Sequence, residues 1–262
     1  MHEWLVTFRD VGGKWYVAKD TSFFRQGGEH AVKSAFGIAK LVDECGFHDI
    51  VSRPMVVDVL ANVTDKDGTY VQQLSFKNAH VSEFKNGTSL ESISRVGSQS
   101  KEARTHTLEL VRNVAAEDVL RAAAFDFLTA QFDRVAKNVL LDDNQRIHLI
   151  DNLDSSFGKY LGLKAIEREQ VHTSVFLEPT SSLYVGCHGD MAKDAANYPP
   201  KLAECLAHLK GNTTRQLYVG YRLPNIQAAQ LLQQRALLLL GGIDVALAYY
   251  LGLGHLEGMS CA

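Results

Sequence analysis

Between about Lys77 and Lys101 the chain changes character, and that change limits the folds open to it. Ahead of this polar, Ser-, Asn- and Gly-containing stretch, short runs rich in β-branched and aromatic residues are separated by turn signals. Beyond it the pattern is mainly helical. Strands with one helix, a connector and then a helical part predict an α+β chain of two lobes. They are a β-rich N-terminal lobe over 1–80 and a larger helical C-terminal lobe over 81–262. A cleft between lobes is where ligands usually bind.

In the first lobe, Trp4 to Arg9 and Lys14 to Lys19 flank Val11-Gly12-Gly13, a hairpin signal in which glycine supplies positive φ. Glu29 to Glu44 reads as a helix, because Val32, Ala35, Phe36, Ala39 and Val42 recur at helical spacing and Gly46 follows as a stop. Met55 to Val63 and Thr69 to Phe76 form a second hairpin through Asp67-Gly68. In the second lobe, Ala116 to Phe132 is a helix with acidic residues in its first turn, where the helix dipole favours them. Two short apolar strands, Val139 to Leu141 and Ile147 to Ile150, then surround Asp142-Asp143-Asn144-Gln145. LAECLAHL and IQAAQLLQQRALLLL are helical again. The apolar run Ala236 to Gly254 nearly reaches membrane-spanning length, but Asp244 and the Gly241-Gly242 pair interrupt it. Two buried helices, and no integral membrane segment, are the expectation.

The net charge of −3 offers no bulk attraction to nucleic acid or acidic membranes. Four cysteines, Cys45, Cys187, Cys205 and Cys261, lie far apart without a CxxC pair, which fits neither a zinc site nor a dense disulfide framework. They read as buried or free thiols. MHEWLVTFRD has no uninterrupted apolar run of a signal peptide, which favours a cytoplasmic location; a leader removed earlier stays open. Sequons at Asn62, Asn86 and Asn212 matter only in a secreted protein.

The segment Phe125 to Gly158 carries the chemistry. It holds Asp133-Arg134-x-x-x-Asn138, and Asp151 beyond the hairpin, at separations of five and thirteen residues. Asp133 leaves the helix in an irregular loop, Asn138 opens the first short strand and Asp151 follows the second. A hairpin brings those strand ends side by side, so two oxygen donors converge, as Mg²⁺ or Mn²⁺ requires. Phosphoryl transfer needs such a set: a carboxylate to orient the attacking hydroxyl, with Asn and Asp holding metal against the phosphates of ATP. Leu140 and Ile150 would line the floor beneath an adenine ring.

The series D-R-x-x-x-N, apolar strand, turn, apolar strand, I-D-N, F-G resembles the catalytic and metal-binding segments of the atypical kinases. That group includes phosphoinositide 3- and 4-kinases, actin-fragmin kinase and the secretory kinases related to Golgi casein kinase and four-jointed. The resemblance implies a two-lobed protein-kinase-like fold, with Asp133 as catalytic base and Asn138 and Asp151 as metal ligands. Asp151-Asn152 with Phe157-Gly158 is similar to the secretory D-N-G-x-x-F-G but one residue longer, and Leu153 replaces its Gly. Asn138 stands where the secretory kinases usually carry Glu. Tyr16-Val17-Ala18-Lys19 resembles the V-A-x-K strand whose Lys reaches nucleotide phosphates. Val32 occupies the helix position where an acidic partner for Lys19 is expected, which leaves Glu29, about one turn earlier, as the substitute. Gly12-Gly13 and Gly27-Gly28 are the candidates for a phosphate loop.

These readings imply a kinase that uses ATP with Mg²⁺ or Mn²⁺. Its acceptor is expected to be a protein Ser/Thr hydroxyl, with a sugar, lipid or small molecule as the alternatives and no nucleic acid. A pseudokinase that binds nucleotide or a partner without turnover is the reading from another class. His188-Gly189-Asp190 resembles the H-G-D of aminoglycoside-type phosphotransferases, but position 195 is Ala where Asn would follow, so it reads as a loop.

Overall fold

The computed structural model describes residues 5–20, 28–64, 67–131, 133–152, 174–188 and 198–252. Strands β1 (Leu5–Arg9) and β2 (Trp15–Lys19) pair antiparallel from Leu5 opposite Lys19 to Arg9 opposite Trp15. Gly13, at φ +87°, turns the hairpin between them. Helix α1 (Gly28–Cys45) follows and ends at Gly46, whose positive φ of 73° lets the chain leave the helix. Strands β3 (Met55–Thr64) and β4 (Tyr70–Glu83) complete a sheet of order β1-β2-β4-β3. Ala18, Phe76, Ala79 and Val81 form its small core, closed by partly buried Val6, Phe8, Tyr16, Met55, Val59 and Leu74.

β4 runs well past Phe76, through residues that read from sequence as the start of a connector. The cause is tertiary. Its second half stays paired with β3, up to Met55 opposite Val81, and on its other edge pairs with β2, from Lys19 opposite His80 to Tyr16 opposite Glu83. A register shift between Val57 and Val59, with Asn78 at φ +51° and its N–H donated to Asp58 Oδ1 at 2.8 Å, breaks the alternation on which sequence reading depends.

After a short linker, β5 (Thr88–Ser89) joins β6 (Val139–Leu141) and β7 (Ile147–Leu149) in a second antiparallel sheet of order β5-β6-β7. Gly87 sits where a Cβ would meet the Leu141 carbonyl oxygen at 2.8 Å, so only glycine lets β5 come this close to β6. Helices α2 (Leu90–Gly97) and α3 (Lys101–Arg112) are N-capped by the hydroxyls of Ser89 and Ser100. α4 (Ala116–Thr129) is buried along its whole length from Asp118 to Thr129 and forms the spine of the large core. It ends where Ala130 turns left-handed at φ 53°. α5 (Pro200–Gly211), α6 (Thr214–Gly220), α7 (Ile226–Leu240) and α8 (Ile243–Leu251) complete the described chain. Gly241-Gly242 separates α7 from α8, so the apolar run is two helices, as expected. Among the described residues no helix is long and apolar enough to cross a membrane.

The architecture is α+β: a small antiparallel sheet with one helix, ahead of a larger helical part that contains a short hairpin. α1 joins the two parts. Its C-terminal residues Ile38, Leu41, Val42 and Cys45 belong to the large core. The segment after it, Phe47 to Val51, reaches β7, where the Leu149 N–H donates to Ile50 O at 2.7 Å.

The cysteines correct the free-thiol expectation. Cys45 at the end of α1 is disulfide-bonded to Cys205 on α5, 160 residues away in sequence. Cys187 is also disulfide-bonded, to a partner outside the described residues, and no cysteine is free among the described ones. No CxxC spacing advertises a pair that only folding brings together. Closing a loop this long restricts the unfolded chain strongly. Replacing both Cys45 and Cys205 with Ser is therefore expected to cost about 2–5 kcal/mol, read as a lower guanidinium midpoint relative to the oxidised protein.

Candidate active site

The site is assembled around α4 and the loops that flank the β6–β7 hairpin. Arg134, immediately after Asp133, is fully buried. Its Nε donates to both carboxylate oxygens of Asp126 on α4, at 3.1 and 3.2 Å. Its Nη1 donates to Asn138 O at 3.2 Å and Ile150 O at 2.6 Å, and its Nη2 to Asn152 Oδ1. One planar fork thus binds the helix, the loop before β6 and the loop after β7. Ser174 Oγ donates to Asp126 Oδ2 at 2.7 Å, and the Val175 N–H to Arg134 O at 3.0 Å, so a distant segment closes the cluster. Burial pushes the Asp126 carboxyl above the usual carboxylate range, while the Arg134 guanidinium and the Ser174 hydroxyl hold it down.

Asp133 is half-buried in the loop between α4 and the 3₁₀ turn Ala136–Asn138. The Asn138 side chain, itself buried, donates from Nδ2 to Asp133 O at 2.8 Å and so fixes the loop. That bond uses the amide nitrogen and leaves Oδ1 as the oxygen face of Asn138. The Ile150 N–H donates to Asn138 O at 3.1 Å, which ties the start of β6 to the residue before Asp151.

Asp151 takes a left-handed φ of 56°, uncommon outside glycine but tolerated by Asp. Its carbonyl accepts from Gln131 Nε2 at 3.1 Å, and its carboxylate Oδ1 lies 2.6 Å from Lys19 Nζ. Lys19 comes from the N-terminal sheet and Asp151 from the loop after β7, so this ion pair links the sheet to the helical part.

Val17 lies two residues before Lys19 on β2 and faces the same side of the strand. Leu140 pairs with His148, and Ile150 follows two residues on. Leu140 and Ile150 are half-buried, whereas their neighbours Val139, Leu141, Ile147 and Leu149 are buried in the core. The two therefore lie on the face of the hairpin turned away from the core. Glu29 stands in the first turn of α1, but its side chain lies outside the described residues. So do Gly27, the Phe157-Gly158 pair, Gly189-Asp190 and position 195. Gly28 is the first residue of α1, and Gly12-Gly13 is the β1–β2 turn.

His80 was not legible as a site residue. It is 5% exposed and directly opposite Lys19 in the sheet, with no partner within the described residues for its buried Nε2. Burial pushes its imidazole down from 6.5 to about 4; the Lys19 charge adds to this and Asp151 opposes it. His80 thus stands beside the Lys19–Asp151 ion pair as a neutral imidazole.

Beside Asp133 the surface is hollow. A cavity of about 270 Å³ is lined by Glu91, Asp133, Val135, Ala136 and Lys137. It shares Val135 and Ala136 with one of about 1060 Å³ between α2, α3 and residues 175–182. Hydroxyls of Ser94, Ser98, Thr107 and Ser181 and the cations Lys101 and Arg104 contribute to the larger one.

Among the described residues no three His, Cys, Asp or Glu side chains form a metal cluster. Asn138 Oδ1 and the Asp151 carboxylate, the two candidate metal donors, are hard oxygens of the type a divalent cation such as Mg²⁺ takes.

No protein-family model matches the chain, and no curated protein matches it. Among solved structures, an aminoglycoside phosphotransferase from Alicyclobacillus acidocaldarius subsp. acidocaldarius DSM 446 is similar at 13% identity and a TM-score of 0.27. The match covers 95% of this chain and 88% of that one. At this identity and TM-score it supports no statement about activity or acceptor.

Two outcomes follow from the buried groups. Arg134→Met leaves Asp126 uncompensated and is expected to cost about 3–5 kcal/mol in urea unfolding. For His80, the unfolded chain takes up the proton below pH 6.5, while the folded chain stays neutral down to about pH 4. Its stabilising contribution is therefore complete above 6.5 and lost as pH falls from there to 4, by up to about 3 kcal/mol. His80→Gln should flatten the pH dependence of the unfolding midpoint over that window.

Proposed function

We propose that the chain is an ATP-dependent kinase that moves the γ-phosphate to a protein Ser or Thr hydroxyl. The observation that carries this reading is the Lys19–Asp151 contact. Lys19 on β2 and Asp151 after β7 meet at 2.6 Å, and the Asp151 carbonyl accepts from Gln131, two residues before Asp133. In this reading residues 1–80 are the N-terminal lobe and 81–262 the helical lobe.

Asp133 accepts the proton of the acceptor hydroxyl as its oxygen attacks the γ-phosphorus, and the bond to the β-phosphate oxygen breaks to release ADP. Asn138 and Asp151 would hold Mg²⁺ or Mn²⁺, which neutralises phosphate charge when bound. Lys19 moves from the Asp151 carboxylate to the phosphates, and Val17, Leu140 and Ile150 enclose the adenine. Arg134 is a positioning residue: it holds the Asp133 loop and the Asp151 loop in one frame.

The cavity bears on the acceptor. At about 1060 Å³, and sharing Val135 and Ala136 with the hollow that Asp133 lines, it matches or exceeds the space that a drug-sized ligand fills. A peptide segment suits it better than a single sugar or other small molecule.

One observation favours the pseudokinase reading. Val32, half-buried on α1, stands where an acid would orient Lys19, and the Lys19 ammonium is instead engaged by Asp151. Melting curves with ATP and Mg²⁺ or Mn²⁺, followed by transfer of labelled phosphate to protein, glycan and lipid pools, separate these readings. Asp133→Asn is expected to keep nucleotide-dependent stabilisation and lower phosphate transfer by about 10²–10⁴-fold. Asp151→Ala is expected to abolish the metal-dependent part of nucleotide binding; unchanged binding and transfer in that variant would overturn the assignment.

A further inference from the structure

We propose that this protein matures in an oxidising secretory compartment and carries N-linked glycans at Asn62 and Asn86. The inference stands apart from the kinase reading and holds for an active enzyme or a silent one.

Two independent observations support it. The first is the state of the cysteines: Cys45 is bonded to Cys205, Cys187 is bonded as well, and none is free among the described residues. Disulfides persist in secretory and extracellular compartments and are rare in reducing cytosol. The Cys45–Cys205 bond is also structural, since both cysteines are buried in the large core and it joins α1 to α5. It therefore argues for the oxidising side of the cell, against the cytoplasmic expectation.

The second observation is where the sequons fall. Asn62-Val63-Thr64 lies at the outer end of the β3–β4 hairpin, with Asn62 and Thr64 exposed. Asn62 Oδ1 accepts from Gln73 Nε2 at 3.0 Å, a bond that a sugar on Nδ2 leaves in place. Asn86-Gly87-Thr88 runs from the linker into the first residue of β5, with all three residues exposed. Gly87 is demanded there by its contact with Leu141, while Asn86 has no such duty in the fold. Asn212-Thr213-Thr214 differs: Asn212 is half-buried, and its Nδ2 donates to His208 O at 2.8 Å to cap α5. The glycans are accordingly assigned to the first two sites.

The chemistry balances with reagents of that compartment. Each transfer joins Asn Nδ2 to the anomeric carbon of an oligosaccharide and breaks that carbon's bond to the diphosphate of its lipid carrier. The Nδ2 proton is lost in the same step. As each disulfide forms, its two thiols give two electrons and two protons to a disulfide-bearing oxidant, which is reduced to a dithiol.

The test uses the full chain recovered from the cells that make it. Non-reduced peptide mapping should find the Cys45–Cys205 cross-link. Enzymatic deglycosylation in ¹⁸O-water should convert Asn62 and Asn86 to labelled Asp and leave Asn212 unlabelled. In the chain expressed behind a cleavable leader, N62Q and N86Q should each remove one step of gel mobility. Alkylatable Cys45 and Cys205 with unlabelled Asn62 and Asn86 in the native protein would overturn the proposal.

Discussion

A guanidinium with no access to water holds the centre of this molecule together. Arg134 donates to a carboxylate on α4, to backbone oxygens on either side of the β6–β7 hairpin and to Asn152. Burying that charge is tolerable only because the hydrogen-bond donors named here have partners and a carboxylate faces it. The geometry of Asp133, Asn138 and Asp151 follows from it, since each lies next to, or within, a segment that the fork grips.

A second set of contacts fixes the sheet-bearing part to the helical part. The end of α1 is held to α5 by the Cys45–Cys205 bond. Tyr221, just past α6, donates its hydroxyl to Glu44 and lies under the Lys40 ammonium at 4.6 Å. Burial and the Glu44 carboxylate both push the Tyr221 hydroxyl well above its usual range, so it stays a donor at any ordinary pH. α1 thus belongs more to the large core than to the small sheet core. The Lys19–Asp151 pair also links the sheet to the helical part, and it joins two groups that the proposed reaction would need apart.

Much of the fold was legible because its elements carry strong local periodicity. α7 matches the IQAAQLLQQRALLLL run, and the glycine pair divides it from α8 as expected. The β6–β7 hairpin lies where two apolar triplets surround a polar turn. The second half of β4 was not legible, since it depends on pairing with β2 across a bulge. Within the site, Asp133, Asn138 and Asp151 stood out by spacing, whereas His80, Gln131, Asp126 and Ser174 did not. His80 matters because it lies opposite Lys19, and Ser174 because it reaches Asp126 from 48 residues away. Neither relation leaves a trace in local sequence.

What the sequence determined by itself was the order of elements and the identities of three polar residues spaced about a short hairpin. Those depend on neighbours along the chain, through turn residues, helix periodicity and strand alternation. Tertiary structure decided which groups meet: Lys19 with Asp151, Arg134 with Asp126, Cys45 with Cys205. Each such contact depends on how helices and sheets bury their apolar faces against one another, and that packing is a property of the whole chain.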